Sequence, residues 1–257
     1  MSYESTFAAY YDLFYESKDY EGESAFLDES IRTFLRKDPE DVSVLELACG
    51  TGTHSLLLAK QGYTIVATDN SDAMLNEAKR KASQSGGRIT FAKMDMRAFH
   101  SFETPFDVVL CLFDSIGYLI SNDAILGTLK SIRKNMNQDG IFIMEFWNAG
   151  AMIQSHDPYR EKIVRQGNKL IKRISETKLH YAEQLAEVSY SIYESEGKAG
   201  FELVAKETHS NRFFLLQEMN FFLEQARLKP LHLFSGFQKN TTPGPESWHT
   251  VAISATL

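Results

Sequence analysis

Cysteine is scarce in this chain of 257 residues. Cys49 and Cys111 are too few for a disulfide framework or for a four-ligand zinc site, and no metal is expected. No lysine- or arginine-rich run occurs, and the formal net charge is -7, which argues against a surface built for nucleic-acid phosphates. No apolar run approaches the length that spans a bilayer. The first residues have neither a basic start nor an apolar core, so no signal peptide is expected. Internal repeats and low-complexity segments are absent. These absences leave a reducing cytoplasm as the default compartment and a small molecule as the default partner. The length suits one α/β domain, or such a core with an insertion, as a monomer or homodimer.

What is present is a regular alternation. Residues 23–37 read as an amphipathic helix that the acidic, proline-containing stretch 38–41 ends. Strands are expected at 42–47, 63–68, 89–93, 106–112 and 140–146. Helices are expected between them at 53–61, 72–84, near 96–100, and at 122–136. Such alternation predicts a parallel sheet covered on both faces. After residue 147 the pattern turns strand-like, with candidate strands at 162–164, 170–174, 186–193, 201–206 and 209–214 and turn signals at 167–168 and 197–200. A helix at 217–225 and a last pair of strands at 230–237 and 249–257 complete seven strands in the main sheet. The expected division is therefore an N-terminal helical lid (1–41), a core (42–148 and 216–257) and an antiparallel insertion (149–215). Tyr3, Phe7, Tyr10, Tyr11, Phe14, Tyr15 and Tyr20 crowd the N-terminus. Their helical spacing suits either a face packed on the core or a lid over a ligand.

Ligands of parallel sheets bind at the carboxyl ends of the strands. Gly50, Asp69, Asp95, Phe113 and Glu145 all fall there. Gly50 and Gly52 let the chain turn sharply beside a ligand between the first strand and its helix. A dinucleotide fingerprint would put a third glycine at 55, where Ser55 stands, and would have no acid at Glu46. Asp69 can accept from a ribose diol, and Asp95 either from an adenine amino group or, as a helix cap, from backbone amides. Three acids at successive strand ends, around a glycine turn, fit a cationic nucleoside without phosphate, S-adenosylmethionine (SAM).

The segment Glu46-Leu47-Ala48-Cys49-Gly50-Thr51-Gly52 resembles the [DE]-x-[GA]-x-G-x-G motif of class I SAM-dependent methyltransferases, over residues 42–147. Outside the motif, Tyr11-Asp12, Lys18-Asp19-Tyr20, Asp95-Met96-Arg97 and the stretch from Cys111 to Leu119 are similar to N,N-dimethyltransferases of nucleotide-linked amino sugars. Tyr118 stands where that group has histidine, and Glu145-Phe146-Trp147-Asn148 replaces a more tryptophan-rich segment. The resemblance implies a Rossmann-like fold and transfer of the SAM methyl group, with S-adenosylhomocysteine as product. It implies cofactor contacts at Tyr11, Tyr20, Glu46, Ala48, Gly50, Gly52, Asp69, Asn70, Met74, Asp95, Met96 and Leu112. It places the acceptor near Phe113, Ser115, Tyr118 and Trp147.

In-line methyl transfer needs alignment and exclusion of water more than proton chemistry. Tyr118 is the expected catalytic residue, positioning the acceptor first and shedding its proton second. Arg173 and Arg212 are candidates for a substrate diphosphate or for solvated charge. Glu145 suits a loop cap or an amine contact equally. His54 suits packing or the helix start. O- or carboxyl-methylation, a SAM-binding protein without catalysis, and an NAD-dependent oxidoreductase are the alternatives.

Overall fold

The computed structural model describes residues 5–84, 86–98, 101–197 and 200–256. Eleven strands form two sheets among them. The larger sheet contains β1 (Ser43–Leu47), β2 (Thr64–Asp69), β3 (Arg88–Lys93), β4 (Phe106–Cys111), β5 (Met136–Trp147), β10 (Leu228–Ser235) and β11 (His249–Thr256). Their spatial order is β10-β11-β5-β4-β1-β2-β3, with β11 antiparallel to both of its neighbours and the other pairs parallel. The switch in strand order lies between β1 and β4, so the loops after those two strands open the crevice.

The central strands are apolar on both sides, as a doubly covered parallel sheet requires. Every residue of β4 is buried. Leu45 and Leu47 of β1 face one core with Val109, Phe142 and Leu129, while Val44 faces the other with Leu27, Ile31 and Leu58. The helices that cover these faces include α2 (Tyr20–Leu35), α3 (Thr53–Lys60), α4 (Asp72–Ala82), α5 (Asn122–Lys134) and α7 (Leu216–Gln225). Side-chain caps start three of them: Asp19 accepts from Gly22, Ser71 from Met74 and Ser121 from Ala124.

The second sheet is antiparallel, in the order β6 (Tyr159–Gln166), β7 (Lys169–His180), β8 (Leu185–Glu196) and β9 (Glu202–Arg212). The first helix, α1 (Ser5–Phe14), buries Phe7, Tyr11 and Phe14 against Met74 of α4 and against Ile171 and Ile192 of this sheet. It therefore packs on the body of the protein and also covers the crevice. The reading as a face packed on the core holds, and Tyr11 on that face also lines the crevice.

Several elements differ from the sequence expectation. A seven-residue helix, α6 (Ala149–Ser155), follows β5; it is short and rich in alanine and glycine, so it shows little apolar periodicity. The strands expected at 201–206 and 209–214 are one strand, β9, and β5 is longer than expected. Residues 96–98 form a turn rather than a helix start, and 99–100 lie outside the described residues, as do Tyr3, residues 198–199 of a turn signal and Leu257. Among the described residues no helix is long and apolar enough to cross a membrane.

Candidate active site

A cavity of about 380 Å³ lies at the carboxyl ends of β1, β2, β4 and β5, roofed by α1 and by one face of the second sheet. Its volume falls within the range of roughly 300–1,000 Å³ usual for small-molecule sites.

The glycine turn forms the floor. Gly52 has φ 72° and a Cβ there would meet Phe91 at 2.9 Å, so the position demands glycine. Ala48 also sits in left-handed geometry, at φ 52°. The turn amide of Gly50 donates to Asp69 Oδ2 at 2.8 Å and that of Ser71 to Oδ1 at 2.8 Å. Asp69 thus ties the turn to the end of β2 while its side chain lines the cavity. Burial pushes its carboxyl up against these hydrogen bonds. Burial also pushes Glu46 up, although the nearby His54 and a hydrogen bond from Ser55 oppose it. Asp95 is held below its ordinary value by hydrogen bonds from Arg97, whose guanidinium and backbone N–H both reach it.

Two polar links fasten the N-terminal helices over the turn. Asp12 Oδ1 accepts from Thr51 at 2.5 Å and Asp12 Oδ2 from Lys81 at 2.7 Å. Glu23 meets the buried His54 ring at 2.7 Å, and Tyr20 stands edge-on to that ring. His54 therefore fixes α2 to the start of α3, in line with a role in packing and hydrogen bonding.

At the opposite end the chain is strained. Phe113 and Asp114 follow β4 with φ 53° and 58°, both in the left-handed region that costs a non-glycine residue roughly 1–2 kcal/mol. This turn aims the Phe113 amide at Glu145 Oε2, 2.7 Å away, and brings Asp114 to His249. His249 Nδ1 lies 3.1 Å from Asp114 Oδ2 and 2.9 Å from Glu145 Oε1. Burial pulls the imidazole down, but the two carboxylates outweigh it and push His249 up to about 11. Burial, with the charge of Glu145, pushes Asp114 up to about 6. Burial acts on Glu145 in the same direction, but its bond to His249 prevails and holds it low. An imidazolium between two carboxylates leaves a net negative charge here. The three ligand atoms lie within 4.8 Å of one another, a spacing a divalent cation could bridge; the shared Nδ1–H accounts for it without one.

Tyr11, Tyr20, Glu46, Ala48, Gly50, Asp69, Asn70, Met74, Asp95, Met96 and Leu112 line the cavity, as do Phe113, Ser115, Tyr118 and Trp147. Gly52 lies behind the wall, packed on Phe91. Arg173 and Arg212 do not line the cavity. The Arg173 guanidinium stacks on Phe14, Tyr15 and Tyr190 at 4.8, 5.0 and 5.5 Å. Arg212 is 7% exposed and is spent on Glu218 at 2.5 Å and Asn122 at 2.7 Å. Neither is aimed at a diphosphate in this arrangement; the arginines that line the cavity are Arg97, paired with Asp95, and Arg160, exposed near the start of β6. His249, Trp248, Asp114 and Arg160 escaped the sequence reading. Asp114 lies in the stretch from Cys111 to Leu119, but no role was read for it; the other three sit in no recognisable motif, and His249 and Asp114 are 135 residues apart. The two thiols are free; Cys111 is buried, and Cys49, at the cavity wall, is half-buried.

Residues 44–140 match the family model described as Methyltransferase domain. YqeM of Bacillus subtilis (strain 168), whose name assigns it provisionally as a methyltransferase and gives no substrate, is 26% identical over 94% of this chain and 92% of its own. The dTDP-3-amino-3,4,6-trideoxy-alpha-D-glucopyranose N,N-dimethyltransferase of Streptomyces venezuelae is 31% identical over 56% of this chain and 59% of its own. A solved S-adenosylmethionine-dependent methyltransferase from Clostridium acetobutylicum ATCC 824 superposes with a TM-score of 0.81 at 20% identity, over 98% of both chains, a likeness of fold.

Proposed function

With the chain a class I SAM-dependent methyltransferase acting on small molecules, we propose that its acceptor is an amine, and that the amine belongs to a nucleotide-linked amino sugar. The observation that carries this reading is the group formed by the buried carboxylates Asp114 and Glu145 with the half-buried His249, beside Trp147 and Trp248. Its net negative charge in a low-dielectric wall attracts an ammonium group and repels a carboxylate. The named Streptomyces venezuelae relative methylates such an amine.

The residues present fit the cofactor. An acidic, phosphate-free floor around a glycine turn suits a sulfonium that carries an amino acid and a nucleoside. Glu46 and the turn from Ala48 to Gly52 would hold the amino-acid end. Asp69 and Asn70 would hold the ribose. Asp95, Met96 and Leu112 would enclose the adenine, Asp95 through lone pairs beyond those used by Arg97. Tyr11, Tyr20 and Met74 would close over it. Bound there, SAM supplies an activated methyl carbon.

The protein's own part is alignment and exclusion of water. Phe113, Trp147 and Trp248 make an apolar wall around the reacting end. Tyr118 and Ser115 offer oxygens that orient an acceptor nitrogen. Arg160 stands at the edge of the cavity, where the anionic part of a sugar nucleotide would meet it.

A methylation screen with labelled SAM tests the proposal. The panel is dTDP-amino sugars, small amines, and hydroxyl- and carboxyl-bearing analogues of the same size. Label is expected in the amines and most strongly in the amino-sugar nucleotides. Label confined to hydroxyl or carboxyl acceptors would overturn the amine reading.

A further inference from the structure

Tyr118 closes a short 3₁₀ turn, Ser115–Tyr118, that lies against β9. Gly117 makes that approach possible: a Cβ there would stand 1.5 Å from Asn211 Oδ1 and 2.7 Å from the Arg212 carbonyl oxygen. Asn211 fastens the turn further by donating to the Asp114 carbonyl at 3.3 Å. The result is a contact between Tyr118 Oη and His209 Nδ1 at 3.3 Å. On the far side of the ring, His209 Nε2 lies 3.0 Å from Glu207 Oε2. His209 and Glu207 sit two apart on β9 and so share one face of the strand. Their side chains are 6% and 8% exposed.

One self-consistent order of donors and acceptors runs through these three residues. An ionised carboxylate only accepts, so Glu207 draws the imidazole hydrogen to Nε2. Neutral His209 then presents a lone pair at Nδ1, and the Tyr118 hydroxyl donates to it. In that order the Tyr118 oxygen can still accept, and both residues line the cavity.

We propose that Tyr118, His209 and Glu207 form a proton relay leading from the acceptor into the second sheet. Tyr118 touches the acceptor; His209 and Glu207 are positioning residues that act through it. The inference rests on methyl transfer in the same cavity. An acceptor ammonium N–H bond breaks and its proton bonds to Tyr118 Oη, while the phenolic proton passes to His209 Nδ1. The freed nitrogen pair forms the C–N bond as the C–S pair leaves with sulfur. The imidazolium, bonded to Glu207, returns its proton to solvent after turnover. Tyr190, edge-on to the His209 ring, is the other titratable group facing it, with Tyr11 nearby and Arg160 and Arg173 acting on Tyr190. The arginines and the neutral phenols do not compete for the proton.

The decisive measurement needs no acceptor. Nitrogen-15 NMR of histidine-labelled protein, saturated with S-adenosylhomocysteine, reads the tautomer of His209. The Nε2–H form is expected in the native protein. In Glu207→Gln the carboxamide can donate to Nε2, and the Nδ1–H form is expected. An Nδ1–H tautomer in the native protein would overturn the relay whichever acceptor class is correct. Kinetics with a turned-over acceptor form the second arm. His209→Asn and Glu207→Gln are each expected to lower kcat about 100-fold with KM and S-adenosylhomocysteine affinity kept within about twofold. Glu207→Asp should recover much of the rate. Unchanged kcat in both variants would equally sink the proposal.

Discussion

At one end of the cavity, carboxylates and glycines stand on consecutive strand ends of a parallel sheet. At the other, the polar groups come from a strained loop, from the antiparallel strand β11 and from an inserted sheet. The first end is local. Glu46, Gly50 and Gly52 lie within seven residues, and Asp69 reaches Gly50 across 19 positions of a β–α–β unit. The second end is assembled at long range, with Tyr118 meeting His209 across 91 positions and Asp114 meeting His249 across 135. A floor set by chain connectivity is suited to one shared cofactor. A wall built from a loop and an insertion is free to vary with the acceptor.

The contrast can be broken experimentally. The largest effect is expected at the floor: Asp69→Ala should weaken binding of S-adenosylhomocysteine about 100-fold by calorimetry. It removes a charged acceptor and releases the Gly50 and Ser71 amides. Full affinity in that variant would mean that the floor is not the cofactor end. Next comes the wall. Gly117→Ala should cost about 2 kcal/mol in chemical denaturation, because the Arg212 carbonyl cannot swing away as a side chain would. S-adenosylhomocysteine affinity should survive, and a parallel loss of both would show the two ends to be one unit.

Ala48→Gly should work in the opposite sense and raise stability by about 1 kcal/mol, since it relieves a left-handed alanine in the turn. A melting temperature that falls would place the compensation in contacts of the Ala48 methyl group. The smallest effect is a pH slope. His249 is raised in the fold, so its stabilisation is complete below the unfolded value of roughly 6.5 and drains away as pH climbs toward about 11. Unfolding midpoints should therefore decline between about pH 7 and 9.5, and less so in His249→Gln. The slope should stay well under the single-proton limit of about 1.4 kcal/mol per pH unit, because the side chain is 41% exposed.

The floor was readable because its residues obey local rules. A buried strand, an acid and a tight glycine turn announce themselves in seven letters, and the following acids keep the spacing of a strand and a helix. The wall obeyed no such rule. Glu145 was visible as a strand end, yet its two uses, capping the Phe113 amide and holding His249, depend on β11 lying antiparallel beside β5. Arg173 and Arg212 had the right charge for a phosphate, but the aromatic stack and the Glu218 pair consume them. Arg160, with nothing around it in sequence to mark it, stands at the cavity instead.

By itself, the sequence determined the alternating α/β core, the glycine turn and the chemistry of a SAM site. Each follows from periodicity or from backbone freedom over a few residues. Tertiary structure alone decided which histidines and arginines line the cavity, because that depends on pairings between strands far apart in the chain. It also decided that Tyr118 meets a histidine of the inserted sheet, a contact that exists only where Gly117 lets two backbones touch.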